Sequence, residues 1–222
     1  MANHQPISGT QSSNDSRSNS GTPKTPGEAG AFLTDVQELR RRARQHITDG
    51  AVTEGYRANR EVVVDLLNQA LATELVCVLR YKRHYFMASG IHAEAVAAEF
   101  LEHANEEQGH ADQLASRIVQ LGGEPNFDPQ GLVTRSHAEY VPGNSLLEMI
   151  TEDLVAERIA IDSYSEMIQY IGDKDTTTKR LLEGILAVEE EHADDLKSMI
   201  ELVGEPHDPN RQMKSERRPG RV

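Results

Sequence analysis

One cysteine, Cys77, is present among 222 residues, so no disulfide closes within the chain and no metal site can be built from four cysteines. That usage fits a reducing compartment. No stretch reads as the ~18 consecutive apolar residues of a membrane-spanning helix. No apolar run follows the first residues either, so no secretory signal is expected. Basic residues are in deficit, with 23 Lys and Arg against 36 Asp and Glu, for a net charge of −13. Such a balance repels nucleic acid and anionic lipid on average and attracts cations. Together these lacks point to a cytoplasmic protein, without a membrane, that handles positive ions.

What is present is mostly helical pattern. Residues 1–30 are rich in Ser, Asn, Gly, Thr and Pro and nearly free of large apolar side chains, so a disordered tail is expected. Leu33, Val36, Leu39, Ala43 and Ile47 then recur at helical spacing, with Thr34 or Asp35 as cap and Asp49-Gly50 as stop. A short helix and linker are assigned to 31–56. Four long helical segments follow, over about 59–88, 92–121, 145–172 and 175–204, punctuated by Gly at their ends and Ser, Asn or Asp at their starts. The first and third connections are short. The middle one, carrying Pro125, Pro129 and Pro142, is long enough to run the length of a helix. The expected fold is all-α: an antiparallel four-helix bundle over 57–204 with one long crossover. The basic tail over 205–222 has too few apolar residues for a fifth packed helix.

The bundle carries one phrase twice, Glu107-Gln108-Gly109-His110-Ala111-Asp112 and Glu189-Glu190-Glu191-His192-Ala193-Asp194. In each, Glu and His three apart share a helix face. A second pattern also repeats: Glu74 is followed seven residues on by Tyr81, and Glu157 seven residues on by Tyr164. All four glutamates interrupt apolar seams such as Leu67, Leu71, Glu74, Val78 and Tyr81. Charges on solvated faces would not fall on four such seams. Four carboxylates buried together need positive partners. Two divalent cations balance their charge, and two neutral imidazoles add nitrogen ligands. Mixed carboxylate and histidine ligation suits iron or manganese better than zinc or copper, and this is the ligand pattern of di-metal carboxylate bundles.

The segments Leu71-Ala72-Thr73-Glu74-Leu75-Val76, Glu107-x-x-His110-Ala111-Asp112, Asp153-Leu154-Val155-Ala156-Glu157 and Glu189-x-x-His192 resemble bacterioferritin and its Dps-like mini-ferritin relatives. The resemblance spans roughly two-thirds of the chain. It implies a ferritin-like fold and an intrasubunit ferroxidase centre holding two iron ions. Glu107 and Glu189 match bridging carboxylates, Glu74 and Glu157 terminal ones, and His110 and His192 the nitrogen ligands, with Tyr81 beside them as a catalytic-site tyrosine. It further implies Fe(II) oxidation by O₂ or H₂O₂ and storage of ferric mineral in a homo-oligomeric cage. Two departures matter. Gln108 stands where haem-binding members have Met, so no haem is expected. The polar tail after Gly204 favours 12 subunits over 24.

Other residues carry weaker signals. Tyr164 reads as a core tyrosine at least as well as a site residue. Asp153 is a candidate to orient a ligand histidine. His103 reads as a core or pore-lining histidine with an additional metal site as the alternative. Glu102 and Glu106 read as solvated or cavity-facing. Arg40, Arg41, Arg42 and Arg44 form a basic cluster, but against the overall charge DNA binding is not favoured. The competing functions are a di-metal peroxidase, manganese catalase or oxygenase, and a Dps-like DNA-protecting shell.

Overall fold

A computed structural model describes residues 35–91 and 93–204. The expected tails over 1–30 and 205–222 lie outside the described residues. The elements are α1 (Val36–Arg42), α2 (Arg60–Met87), α3 (Ala93–Gln120), α4 (Leu132–Arg135), α5 (Leu146–Ile171) and α6 (Thr176–Gly204), with no strand among the described residues. The four long helices form the expected bundle. Helices α2 and α3 pack as one pair and α5 and α6 as the other.

Local chemistry sets the helix ends. The Asn59 side chain accepts the Val62 N–H at the start of α2. Ser145 accepts the Glu148 N–H while Glu148 reaches back to the Asn144 N–H at 2.8 Å, a reciprocal cap for α5. Helix α3 ends in a Schellman turn: Gly123 N–H bonds the Ile118 carbonyl, Gly122 N–H bonds that of Val119, and Gly122 has φ +76°. Gly123 has no room for a side chain, because an added Cβ would lie 2.6 Å from Val64.

The crossover runs the length of α2. Asn68 bonds the Glu124 carbonyl and the Asn126 N–H, Thr73 accepts the His137 N–H, Arg80 donates to the Glu139 carbonyl, and Arg83 and His84 both reach the Pro142 carbonyl. Polar side chains of α2 thus satisfy loop carbonyls and amides that would otherwise be left unpaired. The single turn α4 lies in this segment, where sequence pattern gives no sign of a helix.

One expectation needs correction. The helix expected over 33–47 is an α-helix only over Val36–Arg42, followed by a 3-10 turn at Ile47–Asp49. The helix unwinds before His46: the Arg44 and Gln45 N–H groups bond carbonyls only three residues back, His46 then adopts φ +47°, and no α1 residue is buried to extend the helix by packing. Helix α2 contains an 18-residue window of mean hydropathy 1.7, interrupted by polar residues such as Asp65, Gln69 and Glu74. Its apolarity serves the bundle: 56% of that window is buried, and the buried face includes Glu74 and Arg80.

The start of α6 is tied to the rest of the fold by Asp175. Its carboxylate accepts the Thr178 N–H at 2.9 Å, the Thr178 hydroxyl at 2.6 Å, the Tyr56 hydroxyl at 2.9 Å and the Arg117 guanidinium at 2.9 Å. Burial disfavours the charge, but Thr178, Tyr56 and Arg117 outweigh it and hold the carboxyl below its ordinary 3.8. With the folded value depressed, the stabilisation is fully present above the unfolded value and is lost as pH falls through the folded one. Asp175→Ala is therefore expected to lower unfolding free energy by about 2 kcal/mol at neutral pH. Denaturant titrations at pH 7 and pH 3 check this, with the gap to wild type narrowing at pH 3.

Candidate metal centre

The six residues singled out on the bundle seams meet in one buried layer. Glu74 comes from α2, Glu107 and His110 from α3, Glu157 from α5, and Glu189 and His192 from α6. None exceeds 5% exposure. The layer separates two apolar clusters. Leu67, Leu71, Leu114, Ile118 and Leu182 lie on one side, and Phe100, Ile150, Ala156 and Leu196 on the other. Helical period thus places each carboxylate at mid-helix, and the clusters at both ends keep water out.

Their donor atoms fall into two groups. One contains Glu74, Glu107, His110 and Glu189; the other contains Glu107, Glu157, Glu189 and His192. Glu107 and Glu189 belong to both. Within each group the ligand atoms lie within 4.8 Å of one another. His110 Nδ1 is 3.5 Å from Glu74, 3.4 Å from Glu107 and 2.9 Å from Glu189. His192 Nδ1 is 3.5 Å from Glu107, 3.9 Å from Glu157 and 3.7 Å from Glu189. Two atoms each ~2.1 Å from a common cation sit about 3.0–3.4 Å apart, so these spacings are near those of ligands sharing an ion.

Hydrogen bonding gives the same answer. Glu74 Oε2, Glu107 Oε1, Glu157 Oε2, both Glu189 oxygens, His110 Nδ1 and His192 Nδ1 are buried without a hydrogen-bond partner among the described residues. At about 1–3 kcal/mol each, seven such atoms represent a penalty on the order of 10 kcal/mol, comparable to the whole stability of a domain. All belong to the six residues of the two donor groups. Two divalent cations fit this donor set in charge, number and spacing.

The surrounding contacts fix these side chains. The Tyr81 hydroxyl of α2 donates to Glu157 of α5, and the Tyr164 hydroxyl of α5 donates to Glu74 of α2. The two tyrosines thus brace opposite glutamates reciprocally, and Tyr164 is as close to the centre as Tyr81. Glu106 accepts from His192 Nε2 at 2.7 Å, which turns Nδ1 toward Glu107, Glu157 and Glu189. Glu106 is therefore not merely solvated, as its sequence position suggests. Asp153 is also corrected: it pairs with Arg80 at 2.7 Å and His84 at 2.7 Å, not with His110 or His192. It holds α2 to α5 beneath the crossover. Cys77 is buried, and burial pushes its thiol up, as expected for an inert core residue. Gln108 lies on the exposed face of α3, bonded to Asp112 at 3.1 Å.

Electrostatics follow from crowding. Burial and then the Glu107 charge push the Glu74 carboxyl up to about 8. Burial, followed by Glu107 and Glu189, also raises Glu157 well above the carboxylate range. Burial disfavours both imidazolium ions, yet contacts with Glu107 and Glu189 override it, carrying His110 to about 12 and His192 to about 10. Burial and Glu74 push Glu189 upward, but His110 and His192 bring it below its ordinary value. Without cations, the layer balances its charge with protons.

The fold is shared with known proteins. Residues 64–204 match the family described as "Ferritin-like domain". The chain is 31% identical over 144 residues to a bacterioferritin of Rhodobacter capsulatus, covering 63% of this chain and 83% of that one. Among solved structures, a dodecameric thioferritin, the bacterioferritin-related protein of Bacteroides fragilis, is 29% identical with a TM-score of 0.64, over 73% of this chain and 94% of that one. Dps from Thermosynechococcus elongatus shares the fold at 22% identity and a TM-score of 0.61, over 63% and 90% of the two chains.

Because protons hold the places that cations take, loading should release them. At pH 7, Glu74, His110 and His192 lie below their raised values and are protonated, so divalent-cation binding is expected to release more than one proton per chain and to tighten from pH 6 to pH 8. Calorimetric titration with Co(II) in buffers of different ionisation enthalpy measures this, and a buffer-independent heat contradicts it.

Proposed function

The chain belongs to the ferritin-like family, in its bacterioferritin and Dps-like branch, and from that premise we propose that it is an iron-storage ferroxidase. In this reading Glu74, Glu107, His110, Glu157, Glu189 and His192 hold two Fe(II) ions within one subunit, with Glu107 and Glu189 shared. The observation that carries it is the set of buried, unpartnered oxygens and nitrogens converging from four helices. Bound iron gives up electrons to O₂ or H₂O₂, and the Fe(III) product passes to a mineral cavity. The protein's own part is to strip the ions of water, place them side by side and hold the ligands still. Tyr81 and Tyr164 fix Glu157 and Glu74, and Glu106 fixes His192. As protons leave the layer on loading, the carboxylates stabilise the higher charge of Fe(III).

Storage requires a closed shell, and we favour twelve subunits over twenty-four. Large apolar side chains remain exposed on the isolated chain, including Phe86, Met87, Ile91 and Phe127, as does the uncovered Val36–Leu39 stripe of α1. Surface of this kind supports burial between subunits. The dodecameric relative from Bacteroides fragilis supports the number. We assign the bundle domain to 57–204 and a cytoplasmic location, and with Gln108 in place of Met we assign no haem. DNA binding is not favoured: the net charge is −13, and the Arg41 and Arg42 side chains already pair with Glu38.

Glu107→Ala and His192→Ala are expected to leave a folded bundle by circular dichroism and to reduce Fe(II) oxidation to the uncatalysed background in stopped-flow assays. Oxidation at the wild-type rate in folded variants contradicts the ligand assignment. Mass measurement of the native assembly is expected to give about twelve times the 24.6 kDa chain. Twice that mass means the larger cage, and a stable dimer favours a di-metal peroxidase or oxygenase over storage.

A further inference from the structure

Outside the central layer, the donor atoms of Glu99 and His103 on α3 and Asp195 on α6 also lie within 4.8 Å of one another. Two carboxylates near a histidine are common on acidic surfaces. The state of His103 sets this cluster apart. The residue is 1% exposed, and its Nε2 atom is buried without a hydrogen-bond partner among the described residues. That atom faces Glu99 Oε1 at 3.6 Å. This is too long for a hydrogen bond and close to the ~3.4 Å between two ligands of one tetrahedral cation.

The other ring nitrogen explains the orientation. His103 Nδ1 lies 3.2 Å from the Tyr81 hydroxyl, and that hydroxyl donates its single proton to Glu157. With its one proton committed to Glu157, the Tyr81 oxygen is left to accept from His103 Nδ1–H. Nε2 then carries a lone pair, with no proton to offer Glu99 or Asp195. A lone pair aimed at two carboxylates is repulsive unless a cation lies between them. The His103 ring is also stacked on His192, with centroids 4.0 Å apart, so the ring cannot swing away without losing that contact.

We propose that Glu99, His103 and Asp195 form a third cation site, for a divalent transition metal, on the α3–α6 face beside the central layer. One imidazole and two carboxylates leave a bound M²⁺ neutral overall, and this nitrogen–oxygen set suits Fe(II), Co(II) and Zn(II). Unlike the central layer, the site is open to solvent through Asp195, with the exposed Glu102 and Glu106 nearby on α3. The His103 tautomer follows from the Tyr81–Glu157 bond, so the site does not depend on the central layer being loaded.

Zn(II) serves as a redox-silent probe on the full assembled chain. Equilibrium dialysis with metal analysis is expected to show one fewer tightly bound Zn(II) per chain in the double variant E99Q/D195N than in wild type. Asp195 is exposed and Glu99 half-buried, and neither belongs to the six residues of the central layer. His103→Ala should give the same loss. E107A/E189A should lose the central ions and keep the third, so failure of the centre and failure of this site are separable. Anomalous diffraction at the zinc edge should show a peak bonded to His103 Nε2. An unchanged zinc count in E99Q/D195N, or no zinc peak at His103 Nε2, overturns the proposal.

Discussion

Four glutamates buried in one layer of a helix bundle repel one another and resist loss of their water, and the rest of the molecule is arranged around neutralising them. The charge has two compensators, protons and cations. In the absence of cations, protons collect on Glu74, His110 and His192, whose values rise to about 8, 12 and 10. The geometry is unsuited to that solution as a final state, since seven ligand atoms have no hydrogen-bond partner among the described residues. Were protons the intended compensators, carboxyl–carboxylate hydrogen bonds would satisfy these atoms. Instead the atoms surround common points, as cation ligands do.

The layer has an internal two-fold logic. Each half of the chain supplies one helix with a glutamate and a tyrosine seven residues on, and one helix with a Glu-x-x-His pair. Helices α2 and α5 cross-brace through Tyr81 to Glu157 and Tyr164 to Glu74. These reciprocal bonds require the two helices to be antiparallel, because position 74 meets 164 while 81 meets 157. The long crossover along α2 makes that direction of α5 accessible. The symmetry is broken outside the layer. His192 leans on Glu106 and on the ring of His103. Asp153 of α5 is committed to Arg80 and His84. One departure braces an imidazole, and the other fastens the crossover.

The helices were legible because their signals are local. Asn59, Ser145 and the Gly122-Gly123 pair mark ends through bonds to residues within five positions. The residues that meet in the layer were legible because a carboxylate on an apolar seam is expensive at any helix rotation. Pairings across helices were less so. Glu106 meets His192 across 86 positions, and Asp153 meets Arg80 across 73. Periodicity says which face a residue occupies but not which neighbour it finds there. Glu106 lies just off the α3 seam, so it read as solvent-facing. The 43–47 stretch after α1 fell short for the opposite reason: its spacing is helical, but nothing among the described residues buries it.

The central claim is that cations occupy the buried layer in the ligand pattern its side chains define. Anomalous diffraction at the iron edge, from crystals loaded with Fe(II) under anaerobic conditions, tests that claim most directly. Two strong iron peaks per chain are expected inside the four-helix bundle, one bonded to His110 and the other to His192, with Glu107 and Glu189 reaching both. Iron found only on surface carboxylates, with the buried layer holding none, would contradict it.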